Sequence, residues 1–267
     1  AAGIKPISGS SIKVAFEEDD QPFELLCLAK NNNGHKNLMK IITSAHNNYN
    51  YQAPIIDFKD LVDLKDQIVV ISGGKDSHIF DLLKRHKVDE AEKRIDKFLS
   101  FFKDDFVLEV QKTHRDNEHE YFTNVIPISS KKGIPMIATN DVLFAESKDF
   151  DTHETKVCIN TSKTLSDPNR EKLFSQEQYF KSPEQMEKLF DGFGELISNT
   201  NEISKKCNVS IHTKEYFLPE YPVPKEHDFD SFLVDLSNKR LAKYISEFNK
   251  ENKKIYQQRL DLSLIHI

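Results

Sequence analysis

The stretch Gly133-Ile134-Pro135-Met136-Ile137-Ala138-Thr139-Asn140-Asp141-Val142 constrains the fold most, because a short apolar run opens abruptly into polar residues. A buried parallel strand reads this way, and the C-terminal ends of such strands are where α/β barrels place their chemistry. Asp141 is therefore a candidate metal ligand at a barrel mouth. One carboxylate does not hold a divalent cation, so the question passes to its neighbours.

The rest of the chain keeps exchanging strand for helix. Ile12, Val14 and Phe16 alternate with polar residues, 17–22 reads as a turn, and 23–29 returns as an apolar strand, which makes a hairpin. Leu38, Ile41, Ile42 and Ala45 fall at helical spacing that ends near Asn47. Strands are expected at 67–72 and 106–111, and helices at 77–87, 88–103 and 117–132. Pro127 should kink the last of these, since it lacks an N–H and its ring clashes with the preceding turn. This alternation favours a parallel sheet or a barrel. Beyond Asp141 helices are expected at 148–160, 182–190 and 193–207, with a loop at 161–170. Ser182-Pro183-Glu184 is a helix start, with a serine cap, proline at the first position and an acid at the positive end of the dipole. Pro219, Pro222 and Pro224 interrupt regular structure, and 228–259 reads as a charged helical stretch opening another module.

Composition excludes several classes of function. The 267 residues carry a net charge of −6, which argues against a domain that grips nucleic acid unaided. The longest apolar runs, at 25–29 and 68–71, are too short to span a bilayer, and no leader opens the sequence, so a cytoplasmic location without membrane contact is expected. Cys27, Cys158 and Cys207 stand apart among apolar neighbours and read as buried reduced thiols.

Other candidate chemistry is weaker. Ser72-Gly73-Gly74-Lys75 follows a strand and precedes a helix, but lacks the spacing of phosphate-binding loops and reads as a plain turn. Asp149 and His153 share a helical face at i, i+4, although acids in a first turn are also what the helix dipole favours. His114, Glu118, His119 and Glu120 read as a solvated charged face, with the two histidines diverging on a helix. Lys250, Lys253 and Lys254 are interleaved with Glu247 and Glu251, as on a mixed-charge exposed helix.

Taken in order, five blocks resemble the N-terminal part of the bacterial DNA polymerase III alpha subunits, a family of replicative polymerases. They are Gly3-Ile4-Lys5-Pro6-Ile7-Ser8-Gly9; Leu28-Ala29-Lys30-Asn31 with Gly34-His35-Lys36-Asn37-Leu38; Ile71-Ser72-Gly73-Gly74; Ala138-Thr139-Asn140-Asp141-Val142; and Glu215-Tyr216-Phe217-Leu218-Pro219. The resemblance implies an α/β fold, a distorted (β/α)7 PHP (polymerase and histidinol phosphatase) barrel lacking its first strand, followed by the start of an α-helical polymerase thumb and palm segment. It implies a PHP domain over 1–215, truncated at its start, and a Pro-rich linker with first helices over 216–261. The opening residues read as the tail of a helix running into a strand. Residues 262–267 spell a translated sequencing adaptor and are set aside as an artefact.

Where members with an intact site have metal ligands, the resemblance points to Ser11, Glu24, Gly74, Asp141 and Leu143 in this chain. Asp141 alone keeps a ligand, as a vestigial position, while Ser11, Glu24, Gly74 and Leu143 are degenerate. No metal is expected in this chain. The polymerase aspartates, and the Mg2+ they hold, are implied to lie beyond residue 267, so no catalytic residue is expected here. The implied partners are a proofreading exonuclease subunit docking on the PHP domain, with other replisome subunits and primer-template DNA met through other regions. Two rivals remain: an active metal-dependent phosphoesterase or 3′–5′ exonuclease, and a stand-alone interaction module.

Overall fold

The computed structural model describes residues 3–16, 21–47, 54–211, 216, 218–246 and 250–265. Residues 17–20 of the turn expected at 17–22, Glu215, Phe217 and Glu247 lie outside the described residues, as do the side chains of Lys250 and Glu251. The chain divides into two compact units, Ala1–Ile211 and His212–Ile267.

Among the described residues the first unit is built on six strands, β1 (Gly9–Ala15), β2 (Phe23–Ala29), β3 (Ile56–Asp57), β4 (Ile68–Ile71), β5 (Phe106–Gln111) and β6 (Met136–Thr139), in the order β3-β1-β2-β4-β5-β6. β1 and β2 form the expected hairpin, with Gly9 opposite Leu28 and Val14 opposite Phe23. β2 is antiparallel to β4, whereas β4, β5 and β6 run parallel. The start of β2 therefore lies at the same end of the sheet as the C-terminal ends of β4, β5 and β6. That topological fact positions the site.

Eight helices belong to this unit among the described residues: α1 (Asn32–Asn47), α2 (Phe58–Asp63), α3 (His78–Lys84), α4 (Val88–Phe102), α5 (Glu118–Lys132), α6 (Phe150–Thr161), α7 (Pro183–Leu189) and α8 (Gly194–Lys206). The strand at 56–57 and helix α2 carry no periodic signal long enough to be read from the sequence. α3 starts on Ser77, whose hydroxyl accepts from the Phe80 N–H at 3.1 Å. α7 starts on the Ser182 capping box with Pro183 at its first position, as its sequence dictates. α5 continues through Pro127 to a left-handed Gly133. Of the opening residues read as a helical tail running into a strand, 3–8 form no helix, the strand begins at Gly9, and Ala1 and Ala2 lie outside the described residues.

Strand alternation sorts the core into two layers. Ile68 and Val70 of β4 face a large cluster with Leu38 and Ile41 of α1, Ile95 and Phe98 of α4 and Val125 of α5. Val69 and Ile71 face a smaller cluster closed by Ile203 and Cys207 at the end of α8. A strand covered on both faces must be apolar throughout, which explains Ile68-Val69-Val70-Ile71. Phenylalanines dominate the larger layer: Phe98 stacks on Phe106 at 4.9 Å and Phe16 on Phe58 at 4.2 Å. α8 also covers β6, where Asn199 Nδ2 and Thr200 Oγ1 donate to the carbonyls of Met136 and Ala138 at 2.9 and 3.0 Å. Those side chains satisfy strand acceptors that would otherwise form a bare edge. Cys27, Cys158 and Cys207 are buried free thiols, and burial pushes Cys27 up to about 12.

The second unit holds α9 (Phe229–Tyr244) and α10 (Lys250–Ile265). These two helices cover most of the charged helical stretch expected at 228–259. Residues 262–265, set aside in the sequence reading, are the last turn of α10. No helix among the described residues is long and apolar enough to cross a membrane.

Candidate functional site

Four of the five sequence-derived positions meet at one cavity. Ser11, Glu24, Gly74 and Asp141 line a space of about 270 Å³ at the end of the sheet, together with Lys75, Asp76, Glu109, Gln111, Arg115 and Thr139. Glu24 arrives there because β2 runs antiparallel to its neighbours, so its first residues sit beside the last residues of the others. Leu143 is not part of the lining; its N–H donates to Gln178 O at 2.9 Å and its side chain is exposed.

The turn after β4 requires its two glycines. Gly73 has φ +75°, and a Cβ there would stand 2.6 Å from the Glu24 carbonyl oxygen. A Cβ on Gly74 would stand 2.4 Å from Gln111 Oε1. The space that a ligand side chain at position 74 would need is filled by the Gln111 amide.

Gln111 belongs to a polar network that sequence reading did not find. Arg115 is its centre. Its Nη1 donates to Asp141 Oδ2 at 3.1 Å, its Nη2 to Gln111 Oε1 at 2.7 Å, and its Nε to Thr113 Oγ1 at 2.8 Å and Glu118 Oε1 at 3.2 Å. Glu118 accepts in addition from the Thr113 N–H at 2.6 Å, the Thr113 hydroxyl at 2.5 Å and the Arg115 N–H at 3.3 Å. The Arg115 and Glu118 side chains are each only 7% exposed, against 39% for Asp141. His114 and Asn117, with φ of 61° and 66°, turn the loop back so that Glu118, the first residue of α5, lands on Thr113. The reading of His114, Glu118, His119 and Glu120 as a solvated face holds for the exposed His114 and His119 and fails for Glu118. Its carboxylate is buried because it has a guanidinium and backbone donors to take the place of water.

Asp141 has a second partner in Gln178, a fully buried residue whose Nε2 donates to Asp141 Oδ2 at 2.9 Å. Glu109 lies deeper, in the middle of β5, and accepts from Thr139 Oγ1 at 2.5 Å and Gln111 Nε2 at 3.2 Å. Burial holds its carboxyl above the usual range, the two hydrogen bonds oppose this, and the charges of Asp141 and Glu24 add to it. A charged residue inside Phe106-Val107-Leu108-Glu109-Val110 was a legible signal of a buried polar site.

The donor set fits a divalent cation poorly. Among the described residues the cavity lining holds no histidine or cysteine, position 74 offers no side chain, and the Asp141 carboxylate already faces a guanidinium. Among the described residues, no three His, Cys, Asp or Glu side chains form a group able to hold a metal. The remaining candidates are engaged separately. Asp149 Oδ2 accepts from the Glu146 N–H at 2.9 Å in a capping box. His153 packs against Phe144 and Phe174, with ring centroids 5.5 and 4.9 Å away. Lys253 Nζ donates to Ser246 O at 3.0 Å within the second unit.

Residues 1–113 match the family model of the PHP domain, and the mixed α/β order of strands and helices is consistent with that match. The chain is, by sequence, a relative of DNA polymerase III subunit alpha. It is 36% identical over 260 residues to that of Pasteurella multocida (strain Pm70), covering 97% of this chain and 22% of the relative. It is 36% identical over 234 residues to that of Pseudomonas aeruginosa, covering 87% of this chain and 20% of the relative. It is 34% identical over 271 residues to that of Escherichia coli (strain K12), covering 98% of this chain and 23% of the relative. The chain spans about a fifth of the length of these curated relatives.

Proposed function

We propose that this chain is part of the catalytic alpha subunit of a replicative DNA polymerase, and that its PHP domain serves as a scaffold and docking platform without hydrolytic chemistry of its own. The observation that carries the reading is the guanidinium of Arg115 against Asp141, in a cavity whose position 74 is filled by Gln111. Similarity over 97% of the chain to polymerase alpha subunits supports the wider assignment. The parent enzyme would add deoxynucleotides to a primer end with Mg2+ held by palm aspartates outside these 267 residues, and those ions would stabilise the attacking and leaving oxygens. The partner of the PHP domain would be a proofreading exonuclease subunit, with DNA and other replisome subunits meeting other parts of the parent.

The test is direct. The purified chain is incubated with a labelled primer-template, deoxynucleotides and Mg2+, and separately with the same DNA and Mn2+ or Zn2+. Neither primer extension nor nucleotide release is expected. Extension would overturn the assignment of the polymerase residues to other segments, and metal-dependent release of 3′ nucleotides would overturn the scaffold reading. A stable complex with the purified exonuclease subunit in size-exclusion chromatography is expected, and separate elution would remove the docking role.

A further inference from the structure

We propose that Arg115 is a built-in cation. Its guanidinium does inside the strand-end cavity the structural work that a divalent ion does in a metal-holding site, and so makes the fold of this domain independent of metal. The inference rests on reading the domain as a scaffold, and deepens it by naming the group that replaces the ion.

Three observations converge on Arg115. First, its fork joins three elements: Gln111 at the end of β5 and Glu118 at the start of α5, which are near it in sequence, and Asp141 after β6, 26 residues away. Drawing oxygen ligands from several strand ends to one positive centre is what a metal does in such a site. A guanidinium can do the same because its five donors lie in one rigid plane and need no deprotonated histidines. Second, the cavity is acidic: Glu24, Asp76, Glu109 and Asp141 line it against Lys75 and Arg115. Without Arg115 these four carboxylates face one lysine, and Glu118 loses its buried counter-charge. Third, the acceptor that replaces a ligand side chain at position 74 is Gln111 Oε1, and it points to Arg115 at 2.7 Å. The neutral amide is thus oriented by the same cation, as an outer ligand would be.

An ordinary salt bridge and a built-in cation predict different responses to metal. Thermal unfolding of the whole chain is followed by circular dichroism with Mn2+ or with EDTA, for wild type, Arg115→Gln and Arg115→Lys. Wild type is expected to be indifferent to both reagents. Arg115→Gln is expected to lose on the order of 10 °C in its midpoint, and to regain part of that loss in Mn2+ but not in EDTA. Arg115→Lys keeps the charge but not the fork, and is expected to lie between the two, so the decision does not depend on the glutamine variant folding. Either of two results overturns the built-in cation and leaves the scaffold reading standing: a lysine variant with the wild-type midpoint, or variants that gain no more from Mn2+ than wild type does. Destabilisation of wild type by EDTA, with stoichiometric metal in elemental analysis, overturns both.

Discussion

Arg115 and Arg170 each meet a buried glutamate in the first unit, and the two contacts differ in how fully their polar atoms are satisfied. Around Arg115, both oxygens of Glu118 accept hydrogen bonds, and each guanidinium nitrogen has an acceptor, Nε in Thr113 and Glu118, Nη2 in Gln111 and Nη1 in Asp141. At the other site Arg170 Nη1 donates to Glu154 Oε2, while Glu154 Oε1, buried in α6, has no hydrogen-bond partner among the described residues. A buried ion is costly to strip of water, and the cost is recovered only where every lone pair finds a donor. The first contact is therefore an organising centre, and the second a tether between α6 and the loop that follows it. Charge pairing alone does not distinguish them; hydrogen-bond completeness does.

The contrast can be broken by mutation. Glu118→Ala leaves Arg115 buried without its principal counter-charge, and should cost about 3–5 kcal/mol in urea unfolding. A loss below about 1 kcal/mol, the value of an exposed pair, would place Glu118 on the surface in solution and end the comparison. Gln178→Ala removes one neutral donor from Asp141 and should cost about 1–2 kcal/mol, with the loop at 175–178 becoming more sensitive to protease. Replacing Glu109 by Gln tests the depth of the cavity. Burial raises the Glu109 carboxyl, so the folded state binds its proton more tightly than the unfolded state does, and wild-type stability rises as pH falls towards the unfolded value. Glu109→Gln should consequently be the more stable protein at neutral and alkaline pH, by up to about 1 kcal/mol, and the advantage should vanish on acidification. An advantage that instead grew in acid would mean that the carboxylate is stabilised by its hydrogen bonds. The smallest change is expected from the paired swap Glu154→Leu with Arg170→Met, which removes both charges together and should leave the unfolding midpoint unchanged or raised. A drop as large as that of Glu118→Ala would show the tether to be another organising centre.

Local pattern carried much of the first unit. Alternation at 11–16 and the apolar run at 23–29 gave the hairpin, Ser77 and Ser182 marked two helix starts, and the abrupt polarity after Ile137 located the end of β6. Of the set Ser11, Glu24, Gly74, Asp141 and Leu143, the first four line one cavity and Leu143 does not. The two-residue β3 escaped because so short a strand has no period to read. Arg115 and Gln178 escaped for another reason: their pairings with Asp141 span 26 and 37 residues, and nothing local to either residue encodes them.

Sequence alone determined most of the strands and helices and two of the helix caps, because each depends on residue type and near neighbours. Tertiary structure decided what surrounds Gly74 and Asp141. The direction of β2, the left-handed turns at His114 and Asn117, and the close approach of Gln111 to Gly74 are long-range packing outcomes. They turn an arginine in a charged loop into the cation at the centre of the site.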